Sequence, residues 1–232
     1  MPHRYFASEI DGATAALTGP DAHHLGKVMR AKPGDAVILC DGAGFDYTAA
    51  VTSVTPDRVE FALLEKRPTA AEPSVEVTLF AGYPKQDKLE FIVQKAVELG
   101  VYQVIPVAMK RCVVKLDEKK AAGKAARWQG IAEAAAKQSK RGIIPQVMPV
   151  VSFLQAVKMV SDMDVRIVPY ELAEGMEKTK EMISRIKSGQ QIAVFIGPEG
   201  GFADEEIAKL RALPTPAQIV SLGKIILRTE TA

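Results

Sequence analysis

The chain has 232 residues, of which 47% are hydrophobic and 25% charged, and its formal net charge is +2. These proportions are typical of a globular protein with one large domain or two small ones, and they exclude a disordered or fibrous chain. The two cysteines, Cys40 and Cys112, lie far apart and without metal-ligand spacing. This argues against a zinc site or a disulfide scaffold and favours a reducing compartment.

The N-terminal sequence MPHRYFASEIDG lacks the apolar centre of a signal peptide, and no apolar run has the length of a membrane span. We therefore expect a cytoplasmic protein that binds no membrane and no metal.

The first seventy residues predict a small antiparallel β-barrel. The short apolar runs RYF, ATAAL, AVILCDG, FDYTAAVTSV and RVEFALLE are separated by Gly, Pro and Asp, as in closely spaced strands. Between the first strands, Asp21 is a candidate cap of a short helix, and Pro33-Gly34-Asp35 is a turn signal. Residues 66–74, KRPTAAEPS, resemble a linker, so we place the domain boundaries at 1–70 and 74–232.

After the linker, apolar strands alternate with helices. The strand VEVTLFAG precedes the helical pattern KQDKLEFIVQKAVELG, and the strand VYQVIPVA precedes the long helical stretch KAARWQGIAEAAAKQSKR. DVRIVPY, a helix around MEKTKEMISRIK, and QQIAVFIG continue the alternation. This pattern indicates a mainly parallel sheet with helices on both faces, whose sites lie beyond the carboxyl ends of strands.

Positive charge is concentrated between residues 110 and 141, where there are ten Lys or Arg residues and three Asp or Glu residues. Two interpretations are open: a solvated, lysine-rich helical hairpin, or a surface that binds a polyanion.

The glycine-rich turn GPEGG, at 197–201, follows the apolar run that ends in VFI. Neither a G-x-G-x-x-G dinucleotide motif nor a P-loop is present, and Glu199 would repel a phosphate brought to the turn. Its carboxylate could instead accept hydrogen bonds or stabilise a cation. The alternative is an acidic helix N-terminus, since Asp204, Glu205 and Glu206 suit the helix dipole. A second glycine turn, Leu222-Gly223, follows a short strand and leads to Arg228, Thr229 and Glu230.

Five stretches together resemble a known family: HHLGKVMRAKPGD, KQDKLEFIVQKAVELGV, RWQGIAEAAAKQSKRGIIPQV, IGPEGGF and LGKIILRTETA. In this order and spacing they are similar to the RsmE-type 16S ribosomal RNA (uracil-N3)-methyltransferases of the SPOUT superfamily. The resemblance covers nearly the whole chain, and the last two motifs are its most specific part.

The resemblance implies a PUA-like RNA-binding barrel at 1–70 and an α/β SPOUT domain at 74–232 that ends in a trefoil knot. It also implies a homodimer, S-adenosylmethionine as cofactor, and methylation of N3 of one uridine in 16S ribosomal RNA of the 30S subunit. The cofactor would lie bent between three loops, and the expected binding residues are Pro169, Tyr170, Glu171, Ile196, Gly197, Pro198, Glu199, Gly200, Gly201, Leu222, Gly223, Ile226, Leu227 and Arg228.

The chemistry of uracil suggests roles for two residues of the last motif. Loss of the N3 proton spreads negative charge onto two carbonyl oxygens, which a guanidinium stabilises, so Arg228 is the first catalytic candidate. Glu230 is a candidate base or orienting group, and Glu199 is expected to recognise the cofactor or to hold its loop. Candidate RNA contacts, whose binding would weaken with salt, are Arg4, Arg30, Lys85, Arg111, Lys140 and Arg141.

The chain departs from the family pattern at its end, since that pattern usually continues past RTETA with a short apolar helix. Three alternatives stay open. A non-enzymatic RNA-binding module would not need two glycine turns at successive strand ends. A nucleotide-binding oxidoreductase is disfavoured by the missing fingerprint, and a methyltransferase of the same fold could act on another RNA.

Overall fold

The computed structural model describes residues 3–113, 118–173 and 175–232. The chain divides into two compact units: Met1–Glu72 with Ala136–Ile144, and Pro73–Ala135 with Pro145–Ala232. The first boundary lies inside the linker-like stretch 66–74. The return of 136–144 to the first unit was not predicted from the sequence.

The first unit is built on a six-stranded sheet with the order β1-β4-β5-β6-β3-β2. All neighbouring pairs are antiparallel except β1 and β4, which run parallel. Its core includes the buried side chains of Leu17, Leu25, Leu39, Val59 and Phe61. The strands are β1 Arg4–Phe6, β2 Glu9–Asp11, β3 Thr14–Thr18, β4 Ala36–Cys40, β5 Phe45–Val54 and β6 Arg58–Pro68. The predicted largely antiparallel character of this region is therefore confirmed.

Two local features of the first unit differ from the sequence prediction. Strand β2 was not predicted, because all three of its residues are exposed and it lacks an apolar signal. The short helix α1, Gly19–His23, begins after Thr18, and Asp21 lies within its first turn. The prediction that Asp21 caps this helix was therefore wrong. The carboxylate of Asp21 instead accepts a hydrogen bond from Nζ of Lys137 at 2.8 Å.

The second unit contains a seven-stranded sheet in which every neighbouring pair is parallel, as predicted. Its main path runs β10-β8-β7-β12-β11-β13, and β9 pairs with β8. The strands are β7 Glu76–Gly82, β8 Gln103–Ala108, β9 Gln146–Val147, β10 Val151–Ser152, β11 Val165–Pro169, β12 Gln191–Ile196 and β13 Gln218–Val220. The rings of Phe80 and Phe195 stack at 4.5 Å in the core between the two central strands.

The described residues of the second unit contain the helices α2 Lys88–Glu98, α3 Glu118–Gln138, α4 Phe153–Met159, α5 Met176–Ser184 and α6 Asp204–Arg211, of which α3 ends in the first unit. The helical spacing predicts an apolar face of Leu89, Ile92, Val93, Ala96, Val97 and Leu99. Helix α2 buries four of these six, whereas Ala96 is partly buried and Leu99, just after the helix, is exposed. Part of the basic stretch, 114–117, lies outside the described residues. Within the described part of the chain, no helix is both long enough and apolar enough to cross a membrane.

Candidate active site

The sheet order brings three loops of the second unit to one edge. Strand β11 pairs with β12 on one side and with β13 on the other, and all three run parallel. Their carboxyl ends, at Pro169, Ile196 and Val220, are therefore neighbours. The loops that follow them are those selected from the sequence.

These loops enclose a cavity of about 370 Å³. Of the fourteen residues predicted to bind a cofactor, Gly200 alone is missing from its lining. Gly200 instead lies against Arg111, since a β-carbon on it would come 3.0 Å from Cβ of Arg111. The lining consists of Lys88, Pro169, Tyr170, Glu171, Ile196, Gly197, Pro198, Glu199, Gly201, Phe202, Ser221, Leu222, Gly223, Lys224, Ile225, Ile226, Leu227, Arg228, Thr229 and Ala232.

The glycine-rich turn has little room for side chains. The amide of Gly201 donates to the carbonyl oxygen of Pro198 at 2.8 Å, and Gly201 has a φ of +68°, which favours glycine. A β-carbon on Gly197 would lie 3.2 Å from both the backbone of Gly201 and the ring of Phe202. The turn therefore presents its backbone to the cavity at close range.

The end of strand β7 packs directly against this turn. A β-carbon on Gly82 would lie 2.5 Å from Cδ of Pro198 and closer still to its backbone nitrogen. Gly82 thus allows the turn to rest directly on the sheet. The sequence showed Gly82 only as the last residue of a strand, and its contact with Pro198 is long-range.

A charged cluster lies beside the cavity: Lys88 and Glu199 line it, and Glu230 follows the lining residue Thr229. Nζ of Lys88 lies 3.3 Å from Oε1 of Glu199 and 3.3 Å from Oε2 of Glu230. Oε1 of Glu199 also accepts a hydrogen bond from the backbone N–H of Lys85 at 3.1 Å. Glu199, the unexpected charge in the glycine turn, is therefore joined to the start of α2. This contact favours the loop-holding role among the two considered for it.

The ionisation of these carboxyls follows from their partners. Burial raises the pKa of Glu199, but backbone hydrogen bonds, including the one from Lys85, and the Lys88 ammonium outweigh it, so the net pKa is lowered. The pKa of Glu230 is lowered by its own backbone N–H and, against some desolvation, by Lys88. Both groups are carboxylates at neutral pH.

The side chain of Arg228, the first catalytic candidate, is largely exposed to solvent. Its side chain is 84% exposed, and its Nη1 lies 4.0 Å from Oε1 of Glu230. Arg228 also lines the cavity. Its guanidinium is therefore free to approach a substrate that enters from solvent.

Four large apolar side chains also line the cavity. Leu222, Ile225, Ile226 and Leu227 are all exposed, and Ile226 reaches 87%. Exposed apolar residues in one contiguous segment are typical of a binding surface.

The candidate RNA contacts of the first unit fall into two groups. Arg30 and Lys140 are exposed. Arg4 pairs with Asp46 at 2.7 Å, and its guanidinium lies 5.5 Å from the centre of the Phe6 ring. Arg141 is 2% exposed and pairs with Glu72 at 2.8 Å. The expected RNA contact is therefore incompatible with the buried position of Arg141.

In the second unit, Lys85 and Arg111 are both exposed. Lys85 donates its backbone N–H to Glu199, and Nη1 of Arg111 donates to the carbonyl oxygen of Gly200 at 3.1 Å. Both residues thus lie beside the glycine-rich turn, and neither is among the residues that line the cavity. The sequence indicated their charge but not this location.

Lys88 is one of seven lining residues that were not predicted from the sequence to bind the cofactor. It lines the cavity and contacts two of the selected motifs, yet it is 142 residues distant from Glu230 in the sequence. One signal was present: Lys88 stands at the first position of a helix, where the helix dipole disfavours a cation. The described residues contain no group of three or more His, Cys, Asp and Glu side chains arranged to hold a metal ion.

Comparison with known proteins gives consistent matches along the chain. A family model described as an RNA methyltransferase domain matches residues 71–232, and one described as an RNA methyltransferase PUA domain matches residues 17–64. Ribosomal RNA small subunit methyltransferase E of Bacillus subtilis (strain 168) is 38% identical over 237 residues, which cover 99% of this chain and 92% of that protein. The protein of the same name from Synechocystis is 31% identical, and the match covers 97% of this chain and 71% of that protein.

A solved structure extends the comparison to three dimensions. The crystal structure of a ribosomal RNA small subunit methyltransferase E from Neisseria gonorrhoeae bound to S-adenosyl methionine has a TM-score of 0.79 and 30% sequence identity. The match covers 100% of this chain and 93% of the other. The chain therefore belongs to the RNA methyltransferase family that includes the ribosomal RNA small subunit methyltransferase E proteins.

Proposed function

We propose that this protein transfers the methyl group of S-adenosylmethionine to N3 of one uridine in 16S ribosomal RNA. The observation that carries the proposal is a cavity lined by three strand-end loops in a member of this family. The Neisseria relative, which is 30% identical, is described as bound to S-adenosyl methionine.

The residues around the cavity fit this cofactor. A volume of about 370 Å³ is within the range of roughly 300–1,000 Å³ typical of small-molecule sites. The lining carries both signs of charge, with Lys88, Lys224 and Arg228 opposite in charge to Glu171 and Glu199. S-adenosylmethionine also carries both signs, because it has a carboxylate, an ammonium and a sulfonium. The glycine backbone and the apolar side chains near residues 225–227 would hold its uncharged parts.

When bound, this cofactor supplies an electrophilic methyl group on a positively charged sulfur. The protein has to hold the acceptor base in line and to stabilise the charge that develops as N3 loses its proton. The exposed guanidinium of Arg228 would contact the uracil carbonyl oxygens. Glu230, whose lowered pKa makes it a weak base, would orient Arg228, from which it is 4.0 Å distant. We therefore prefer the orienting role for Glu230 over that of proton acceptor, and the N3 proton would pass to solvent water.

The proposal extends to the architecture that the family resemblance implies. It includes a trefoil knot in a SPOUT-type domain at 74–232, a homodimer, and action in the cytoplasm on the 30S subunit. The exposed apolar segment around Ile225 and Ile226 is a suitable surface for a second copy of the chain. The first unit would serve as the PUA-like RNA-binding domain.

Four exposed cations remain as candidate RNA contacts. Arg30 and Lys140 belong to the first unit, and Lys85 and Arg111 to the second. The uridine must also leave its pair or stack before its N3 can be reached. Lys85 and Arg111, beside the glycine-rich turn, are placed to contact phosphates next to such a base.

Methylation of 30S subunits that lack the modification, with labelled cofactor and mapping of the modified nucleotide, tests the function directly. The proposal expects a single labelled uridine with the methyl group on N3. Label on a carbon, on a ribose or in transfer RNA would contradict it. Calorimetry with S-adenosylmethionine and with NADH separates a methyltransferase from an oxidoreductase and from a non-enzymatic RNA-binding module.

A further inference from the structure

Lys88 occupies an unusual position for a lysine. It is the first residue of helix α2, where the N-terminal end of the helix dipole disfavours positive charge. It is also partly enclosed, since its side chain is 30% exposed while its partners Glu199 and Glu230 are 24% and 18% exposed. Residues that break a local rule without a local benefit are often found at functional sites.

The two partners of Lys88 belong to two different loops that line the cavity, although Glu230 itself is not a lining residue. Glu199 is the centre of the glycine-rich turn after β12, and Glu230 lies in the segment after β13. Lys88 therefore joins two loops that approach the cavity from separate strands. Helix α2, which begins with Lys88, is the third element that meets at this contact.

The segment that Glu230 belongs to has few anchors of its own. All residues from 222 to 228 are exposed. The amides of Thr231 and Ala232 donate to the carbonyl oxygen of Arg228 at 2.8 and 3.0 Å, so residues 228–232 form a closed turn. A contact that fixes Glu230 thereby fixes Arg228 as well.

We propose that Lys88 is a positioning residue: its ammonium group, shared between Glu199 and Glu230, holds the 228–232 turn against the glycine-rich turn and so places Arg228 at the cavity. The geometry carries this assignment, because one nitrogen lies 3.3 Å from each carboxylate. Without that charge, two neighbouring carboxylates would repel each other and separate the two loops. The pKa of Lys88 is raised, chiefly by its hydrogen bond to Glu230, so the ammonium stays charged.

The consequence for methyl transfer rests on the proposed function, whereas the positioning itself does not. The test therefore has two arms, amide hydrogen exchange in the free protein and single-turnover methylation of 30S subunits. The variants are Lys88→Met, Lys88→Arg, Glu230→Gln and the double variant Lys88→Met/Glu230→Gln. Lys180→Met is the matched control, because Lys180 also pairs with a glutamate, Glu177, and is not among the residues that line the cavity. Thermal unfolding shows that each variant is folded.

In the exchange arm, Lys88→Met is expected to accelerate exchange in peptides covering residues 228–232 by at least about fivefold, because it opens the contact that holds the turn. Lys88→Arg restores protection, and Lys180→Met leaves it unchanged. Equal exchange in Lys88→Met and the unaltered protein overturns the proposal, whether or not the protein methylates RNA.

In the activity arm, Lys88→Met is expected to lower the single-turnover rate at least about tenfold, since small displacements of catalytic groups are costly. Lys88→Arg recovers most of the rate. In the Glu230→Gln background the additional effect of Lys88→Met is expected to be small, because Lys88 acts through Glu230. The same loss in both backgrounds would contradict this coupling. Absence of methylation by the unaltered protein would reject the proposed function and leave the exchange arm to decide the role of Lys88.

Discussion

Gly82 illustrates how one missing side chain shapes the site. A β-carbon at this position would lie 2.5 Å from Cδ of Pro198, and the neighbouring backbone cannot move aside as a flexible side chain can. Gly82→Ala is therefore expected to lift the glycine-rich turn off strand β7. Displacements of about 1 Å can cost roughly 100-fold in function, so we expect the affinity for S-adenosylmethionine to fall at least about tenfold by calorimetry.

Gly130→Ala is the matched control for this substitution. Gly130 lies inside helix α3, and a β-carbon there would meet nothing within 4 Å. Alanine should stabilise the helix by about 0.5–1 kcal/mol and leave cofactor affinity unchanged. Unchanged affinity in Gly82→Ala as well would show that the contact with Pro198 does not position the turn.

Arg228 is expected to act on the substrate more than on the cofactor. Its side chain is 84% exposed, so its removal leaves no cavity and breaks no packing. Loss of a charge-stabilising donor typically costs about 100–1,000-fold in turnover, and we expect Arg228→Ala to lose activity in this range. The Kd for S-adenosylmethionine, measured by calorimetry, should change far less than the turnover.

Arg185→Ala provides the comparison for Arg228→Ala. Arg185 is an exposed arginine next to helix α5 that pairs with Glu181 at 2.6 Å. Its replacement should leave methylation unchanged, because Arg185 is not among the residues that line the cavity. An Arg228→Ala protein that keeps full activity would contradict the catalytic role of the guanidinium.

At the scale of elements, helix α6 is fixed at its start by one buried carboxylate. Oε2 of Glu206 accepts the amide of Ala203 at 2.9 Å, and Oε1 accepts the amide of Lys110 at 2.8 Å. Glu206→Ala leaves both donors without this acceptor, at a cost of about 1–3 kcal/mol each in a buried setting. We expect the free energy of unfolding, measured with denaturant, to fall by about 2–6 kcal/mol.

The adjacent Glu205 separates this effect from that of helix charge. Its side chain is exposed and pairs with Nζ of Lys110, which is exposed too. Such surface pairs contribute about 0–1 kcal/mol, so Glu205→Ala should change stability by no more than that. Equal losses in both variants would mean that the dipole, and not the two hydrogen bonds, explains the acidic start of α6.

The elements were largely predictable because local periodicity determines them. Most of the apolar face of α2 and the largely apolar strands β7 and β12 appear in the sequence with the spacing that the structure uses. The three strand-end loops followed from the parallel arrangement. Lys88 was not predictable, since its contact with Glu230 joins positions 142 residues apart. Gly82 and Pro198 are likewise paired only by the sheet order.

At the scale of the whole molecule, the chain returns to its first unit with residues 136–144. Glu72 holds this segment: its carboxylate accepts Nη2 of Arg141 at 2.8 Å and the amides of Gly142 and Ile143 at 2.6 and 3.2 Å. The Sγ of Cys40 donates to the carbonyl oxygen of Gly142 at 3.1 Å. Arg141 was expected to contact RNA because it lies in a basic stretch. The sequence gives no sign that its partner is Glu72, 69 residues earlier.

The Glu72 cluster makes stability depend on pH. Burial raises the pKa of Glu72, but Arg141 and the two backbone amides outweigh it, so the folded-state pKa lies below its usual value. The unfolded chain therefore binds more protons as the pH falls through the usual carboxyl range, and the stabilisation present above that range is lost toward the folded-state pKa.

Glu72→Gln removes the charge that faces the buried guanidinium and should cost about 2 kcal/mol or more at pH 7. Denaturant titrations at pH 7 and at successively lower pH should show the two proteins converging, while Glu65→Gln, an exposed acid of the same unit, stays within about 0.5 kcal/mol of the unaltered protein. A constant difference at all pH values would mean that the loss in Glu72→Gln comes from packing and not from ionisation.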